Sequence, residues 1–213
     1  MNTLAHRWNR ATTALQKLDF IPLLALRLYL APIMIISGWN KYQSFDNIVA
    51  WFGNPDWGLG LPFPTLLAFL ATAAELVGGW LLVFGLFTRL TSFALMITMA
   101  IAAATVHWQH GWFAIAPSDP ATSPATVLNW LNIPGSQASL ENSAAVAQKL
   151  DMARSILQQH GNYNWLTEAG NYVILNNGIE FAATYFIMLL VLFIYGAGRY
   201  LSVDYWLNRS LYK

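Results

Sequence analysis

Four runs of about twenty residues are almost free of charge, and this limits the possible folds more than any other feature. Residues 62–87 are interrupted only by Glu75, residues 90–108 carry no formal charge, residues 177–199 hold Glu180 and a terminal Arg199, and residues 20–41 hold Arg27 and a terminal Lys41. A helix rising 1.5 Å per residue needs roughly 20 apolar residues to cross ~30 Å of hydrocarbon, where backbone polar groups must be satisfied internally. The pattern predicts an all-α integral membrane protein: a four-helix transmembrane bundle in one domain, residues 1–213. Charged residues make up 10% of the chain, against roughly a quarter in soluble proteins. The formal charge of +1 leaves no basic footprint for nucleic acid. Zero cysteines exclude thiol relays, iron–sulfur ligation and disulfides, so any redox role needs a borrowed cofactor.

Orientation follows from the lysines and arginines. If the four spans alternate, Arg7, Arg10, Lys17, Arg89, Arg199, Arg209 and Lys213 share one side, whereas Lys41, Lys149 and Arg154 lie on the other. The positive-inside bias places both termini in the cytoplasm of a cell inner membrane. The first run lacks a small-x-small cleavage site and holds a charge, so it is expected to remain as a span. Before it, residues 1–19 carry Leu4, Trp8, Ala11, Leu15 and Leu18 at helical spacing, an amphipathic segment suited to the bilayer surface. Trp39, Tyr42, Trp51, Trp57, Trp108 and Trp112 are expected to girdle the outer interface, and Tyr200, Tyr205 and Trp206 the inner one.

The exoplasmic insert, residues 109–176, is the only long polar region. Pro117, Pro120, Pro124 and Pro134 make its first half an extended linker. Its second half reads as one amphipathic helix, capped near Ser139 and ended by Gly161.

Ionisable groups inside hydrocarbon are costly unless they face the bundle interior and find partners. Arg27, Ala31, Met34, Gly38 and Lys41 fall on one helical stripe, as do Ala68, Thr72, Glu75 and Gly79. Met96, Ala100, Ala103 and His107 on the third run, and Asn177, Glu180 and Thr184 on the fourth, complete an expected polar seam. Helical side chains lean toward their own N-terminus, so Lys41 and Glu180 are expected to meet, with Arg27 and Glu75 a looser pair. Glu75 and Glu180 are the candidate catalytic carboxylates, because a carboxyl group in a low-dielectric site can hold and pass a proton. Arg27, Asn40, Lys41, His107 and Asn177 are the candidate substrate-binding residues. The alternative use of the same charges is to fix helix register. His107 and His110 form at most half a metal site, with no carboxylate at matching spacing, so no metal is expected.

Gly38-Trp39-Asn40-Lys41, Glu75-Leu76-Val77-Gly78-Gly79, Gly85-Leu86-Phe87-Thr88-Arg89 and Gly196-Ala197-Gly198-Arg199-Tyr200-Leu201-Ser202-Val203-Asp204, together with Arg27, resemble the DoxX family. That resemblance implies a four-helix inner-membrane protein related to subunits of quinone-linked oxidoreductases, and marks Arg27, Lys41, Glu75, Arg89 and Arg199 as important positions. It implies the lipid bilayer and soluble redox proteins as partners. The insert and the run from Val173 to Phe181 more distantly resemble members found beside systems that make modified, metal-binding peptides, which implies peptide-modifying partner proteins.

Three functions fit these residues. The first is an accessory, non-haem subunit of a membrane redox system that binds a quinone or similar amphipathic molecule, with no covalently bound cofactor. The second is a transporter or conduit for a small solute or metal-binding peptide. The third is a membrane scaffold without turnover, alone or as an oligomer. A haem oxidase is disfavoured, because a bis-histidine site needs two axial ligands and only His107 is placed to enter the bundle.

Overall fold

The computed structural model describes residues 2–133 and 135–211, without the side chains of residues 2–5, 7, 11 and 14. The stripe through Leu4 and Ala11, the side chain of Arg7, and the placements of Pro134 and Lys213 therefore lie outside the described residues. Along the chain run α1 (Asn2–Gln16), α2 (Phe20–Gln43), α3 (Phe45–Gly53), α4 (Pro64–Phe84), α5 (Thr88–Ala102), α6 (Ala125–Trp130), α7 (Ser136–His160), α8 (Tyr163–Leu166), α9 (Glu180–Tyr195) and α10 (Val203–Leu211). Among the described residues the only extended pairing is an isolated antiparallel bridge between Ile115 and Leu175. The chain divides into two compact units, residues 1–105 with 182–213, and residues 106–181.

Among the described residues three helical stretches are long and apolar enough to cross a membrane: Phe20–Gln43, Pro64–Phe84 and Thr88–His110. The last continues α5 through a π turn (Ala103–His107) and a 3₁₀ turn (Trp108–His110). The fourth apolar helix, α9, has 16 residues, ~24 Å at 1.5 Å each, shorter than the expected run 177–199. Its limits have local causes. Gly196 and Gly198 take positive φ just past its end, where a left-handed residue stops a helix. Before its start, a Cβ on Gly178 would lie 2.5–2.6 Å from the carbonyl oxygens of Phe113, Gly111 and Trp112, so the chain runs there as closely packed loop.

Within the first unit, α2, α4, α5 and α9 share one core: Leu30, Ala31 and Met34, then Leu82, then Leu95 and Met99, then Leu189 and Leu192. Small residues allow close approach of α2 to α4. Gly38 abuts the backbone of Leu76, and a Cβ on Gly79 would meet Ile35 Cγ1 at 2.6 Å. The outward faces carry Leu28, Ile36, Phe69, Trp80, Phe93 and Ile187, whereas Arg27, Thr72, Glu75 and Ser92 are buried. Large apolar groups outside and polar groups inside suit lipid as the surrounding solvent. This is an all-helical membrane protein.

Two of the four expected stripes face inward as drawn. Arg27, Ala31, Met34 and Gly38 are buried on α2, as are Ala68, Thr72, Glu75 and Gly79 on α4. On α5 the inward face is instead Thr88, Thr91, Ser92, Leu95 and Met99, and Ala100 is exposed. On α9 it is Ala182, Leu189 and Leu192, and Thr184 is exposed. Within the first unit the buried charged groups therefore lie on α2 and α4, while the faces of α5 and α9 toward the core are built of aliphatic and hydroxyl groups.

In the second unit, α7 starts at Ser136, three residues before the expected cap, and ends at Gly161. Its Val146 and Leu150 pack with Ala116 and Ile174, giving this unit its own small core.

Candidate functional site

The polar pair of the first unit forms where the glycine contacts bring α2 and α4 together. Lys41, in the last turn of α2, places Nζ 2.5 Å from Glu75 Oε2 and donates a second hydrogen bond to Ser37 Oγ at 2.8 Å. The Glu75 side chain is 5% exposed and that of Lys41 22%, so the carboxylate is enclosed while the ammonium keeps one open side. A charge-assisted hydrogen bond of this kind offsets much of the cost of holding each charge away from water. The lean of side chains assigned Lys41 to Glu180, but its ammonium goes to Glu75. Ser37, one turn before Lys41 on the same stripe, was missed by sequence reasoning although its i, i+4 spacing is visible. Asn40 lies on the exposed side of α2.

Arg27 does not pair with Glu75. Its Nε donates to Leu82 O at 2.8 Å, Nη2 to Val83 O at 2.8 Å, and Nη1 to Ala197 O at 2.9 Å and Leu201 O at 3.0 Å. Leu82 and Val83 belong to the last turn of α4, whose carbonyls have no partner within the helix and carry the negative end of its dipole. A guanidinium with its planar fork of donors satisfies several of these oxygens at once. Arg27 is 1% exposed.

The motif pieces after α4 and α9 build this cage. Gly85 takes φ +63°, and a Cβ there would lie 2.5 Å from Arg27 Cζ and 2.7 Å from Ser202 Cβ. Asp204 accepts hydrogen bonds from the amides of Phe87 at 2.7 Å and Thr88 at 2.9 Å, capping α5, while its own amide donates to Gly85 O at 2.9 Å. Arg199 forms a two-pronged pair with Asp19, at 3.1 and 2.7 Å. Hydrogen bonding to that carboxylate pushes the Arg199 pKa up. Phe20, Tyr200, Tyr205 and Trp206 pack in series beside it, edge-to-face or tilted, with centroids 5.2–5.5 Å apart.

The other candidates belong to the second unit, and there they hold a loop together. The Glu180 carboxylate accepts the amide of Ala114 at 2.9 Å, in addition to its other interactions. His107 Nδ1 lies 2.8 Å from the backbone oxygen of Asn177, so Asn177 contributes main chain where a side-chain amide was expected. Asn176 Nδ2 donates to the carbonyls of His110 and Phe113. The structure thus joins Lys41 with Glu75, joins Glu180, His107 and Asn177 to the 107–114 segment, and gives Arg27 a site of its own.

Lipid-facing apolar helices around a buried ion pair and a caged arginine define a membrane protein whose buried charges, in the first unit, lie on two adjoining helices. The DoxX family model matches residues 22–108, which contain Arg27, the Lys41–Glu75 pair and Gly85. The chain belongs to the DoxX family. It is 34% identical over 83 residues to the "Putative oxidoreductase CatD" of Bacillus subtilis (strain 168), covering 39% of this chain and 58% of that protein. It is 30% identical over 111 residues to "Inner membrane protein YphA" of Escherichia coli (strain K12), covering 52% of this chain and 73% of that protein. No solved structure matches the chain.

Proposed function

We propose that this chain is an accessory membrane subunit of a redox system, sitting in the inner membrane with both termini cytoplasmic, and that it binds a quinone or similar amphipathic molecule beside the Lys41–Glu75 pair. The observation that carries the reading is a 2.5 Å ion pair whose carboxylate is enclosed while its ammonium keeps an open side. Reducing a quinone to a quinol takes two electrons and two protons. The chain has no cysteine and, among its described residues, no cluster of metal-ligating side chains, so the electrons come from a partner oxidoreductase. The pair contributes a donor to the quinone oxygen and a route for one proton; Glu180 is a second proton-handling group to be tested separately. The name of the Bacillus subtilis relative points to oxidoreductase chemistry.

The test is the quinone content of the protein purified from its own membranes in mild detergent. Wild type is expected to retain quinone, and Glu75→Gln to lose most of it while keeping its helical content. Equal content in both, or none in either, removes the reading. One observation favours a scaffold instead: Lys41, Glu75 and Arg27 all have protein partners, as register-fixing charges would. In that case Glu75→Gln alters stability and leaves bound small molecules unchanged.

A further inference from the structure

We propose that the groove of the first unit around Arg89 binds the phosphate of an anionic phospholipid, whose acyl chain lies along Leu90 and Val191. A cavity of ≈ 990 Å³ opens between the start of α5, the end of α9 and α10. Its charged lining is Asp19, Arg89, Arg199 and Asp204, and three of these four are committed to protein partners. Asp19 and Arg199 pair with each other, and Asp204 caps α5. Arg89 is exposed, and among the described residues no ion pair or hydrogen bond engages its guanidinium. With Asp19 paired to Arg199 and Asp204 held by the amides of α5, Arg89 is the groove's available cation.

A second, independent feature points to a ligand here. Thr88 also lines the cavity, and its Oγ1 is fully buried without a hydrogen-bond partner. A buried hydroxyl left unmade is costly, and a phosphate oxygen or its bound water would satisfy it. The remaining wall is apolar and aromatic, with Leu23, Leu90, Val191 and Tyr195. A soluble phosphate has no use for such a wall, whereas an acyl chain does. The positive-inside bias assigns this end to the cytoplasmic leaflet, where basic sites between helices meet anionic headgroups.

The experiment is native mass spectrometry of the full chain in mild detergent, supplied with phosphatidylglycerol, phosphatidylcholine or inorganic phosphate. Phosphatidylglycerol is expected to be retained over phosphatidylcholine. Arg89→Gln is expected to lower that retention about fivefold, with Arg89→Lys keeping most of it. Arg209→Gln, outside the groove, is expected to change nothing. Val191→Trp leaves every charge in place and fills the apolar wall, so it also reduces phosphatidylglycerol retention. Equal retention of the two lipids overturns the proposal, as does wild-type retention in either Arg89→Gln or Val191→Trp. Displacement of phosphatidylglycerol by millimolar inorganic phosphate overturns the choice of a lipid as occupant.

Discussion

Replacing Arg27 with methionine removes the guanidinium while keeping similar bulk on α2. Four hydrogen bonds at 2.8–3.0 Å disappear, and the carbonyls of Leu82 and Val83 at the end of α4 lose their side-chain donor. Each charged hydrogen bond contributes roughly 1.5–3 kcal/mol, but the substitution also relieves the cost of burying the charge. Buried main-chain carbonyls left without a donor cost about 1–3 kcal/mol each, and with the relieved burial of the charge set against several of them the net loss is about 3–5 kcal/mol. For a chain of this size that is a fall in Tm of about 10 °C. The ten tryptophans allow the transition to be followed by intrinsic fluorescence in detergent, and the absence of cysteine makes thiol-reactive dyes useless. Arg27→Lys, with a point charge in place of a planar fork, is expected to fall between the two. A methionine variant melting within about 2 °C of wild type would mean that the carbonyl cage is not what holds the ends of α4 and α9 together.

Three further outcomes are expected. In a double-mutant cycle, Lys41→Met and Glu75→Leu each cost about 3–5 kcal/mol by stranding the partner's charge, and the double variant costs less than the sum; additive losses measured by denaturation would show that the pair is not coupled. Gly38→Val drives side-chain carbons into the backbone of Leu76, costing at least about 1–3 kcal/mol, seen as reduced folded yield; wild-type yield and Tm would contradict the close α2–α4 approach. Asp204→Ala removes the cap on α5 and costs about 1–2 kcal/mol, with faster hydrogen exchange at the Phe87 and Thr88 amides as the local readout; unchanged exchange there would speak against the cap.

The stripes on α2 and α4 were legible because a charged residue marks each one: once Arg27 and Glu75 must face inward, residues three and four positions away follow. On α9 the charged marker, Glu180, stands at the first residue and most of the helix beyond it is apolar, so Thr184 was assigned inward from it, and packing chose Leu189 instead. On the third run the stripe through Met96 and Ala100 was expected inward, yet the buried face of α5 runs through Thr91, Ser92 and Leu95. The partners of Arg27 were hidden for a different reason. Its acceptors are main-chain oxygens of Leu82, Val83, Ala197 and Leu201, and a carbonyl leaves no trace in residue identity. What the sequence did carry was the frame around them: Gly85, which must lack a Cβ, and Asp204, which ties the loop after α9 to the start of α5. The Lys41–Glu75 pair was overlooked because lean along the helix was weighed without the glycines at 38 and 79, which bring α2 onto α4 and deliver Lys41 to Glu75.

The central proposal is that a quinone-like molecule binds at the Lys41–Glu75 pair. Photolabelling the purified protein with an azidoquinone, followed by peptide mapping, addresses it most directly. Adducts are expected on α2 and α4 within about a turn of Ser37, Lys41 and Glu75, suppressed by excess unlabelled quinone and absent in Glu75→Gln. Labelling spread over lipid-facing residues such as Phe69 and Trp80, indifferent to competitor and to the substitution, would contradict it.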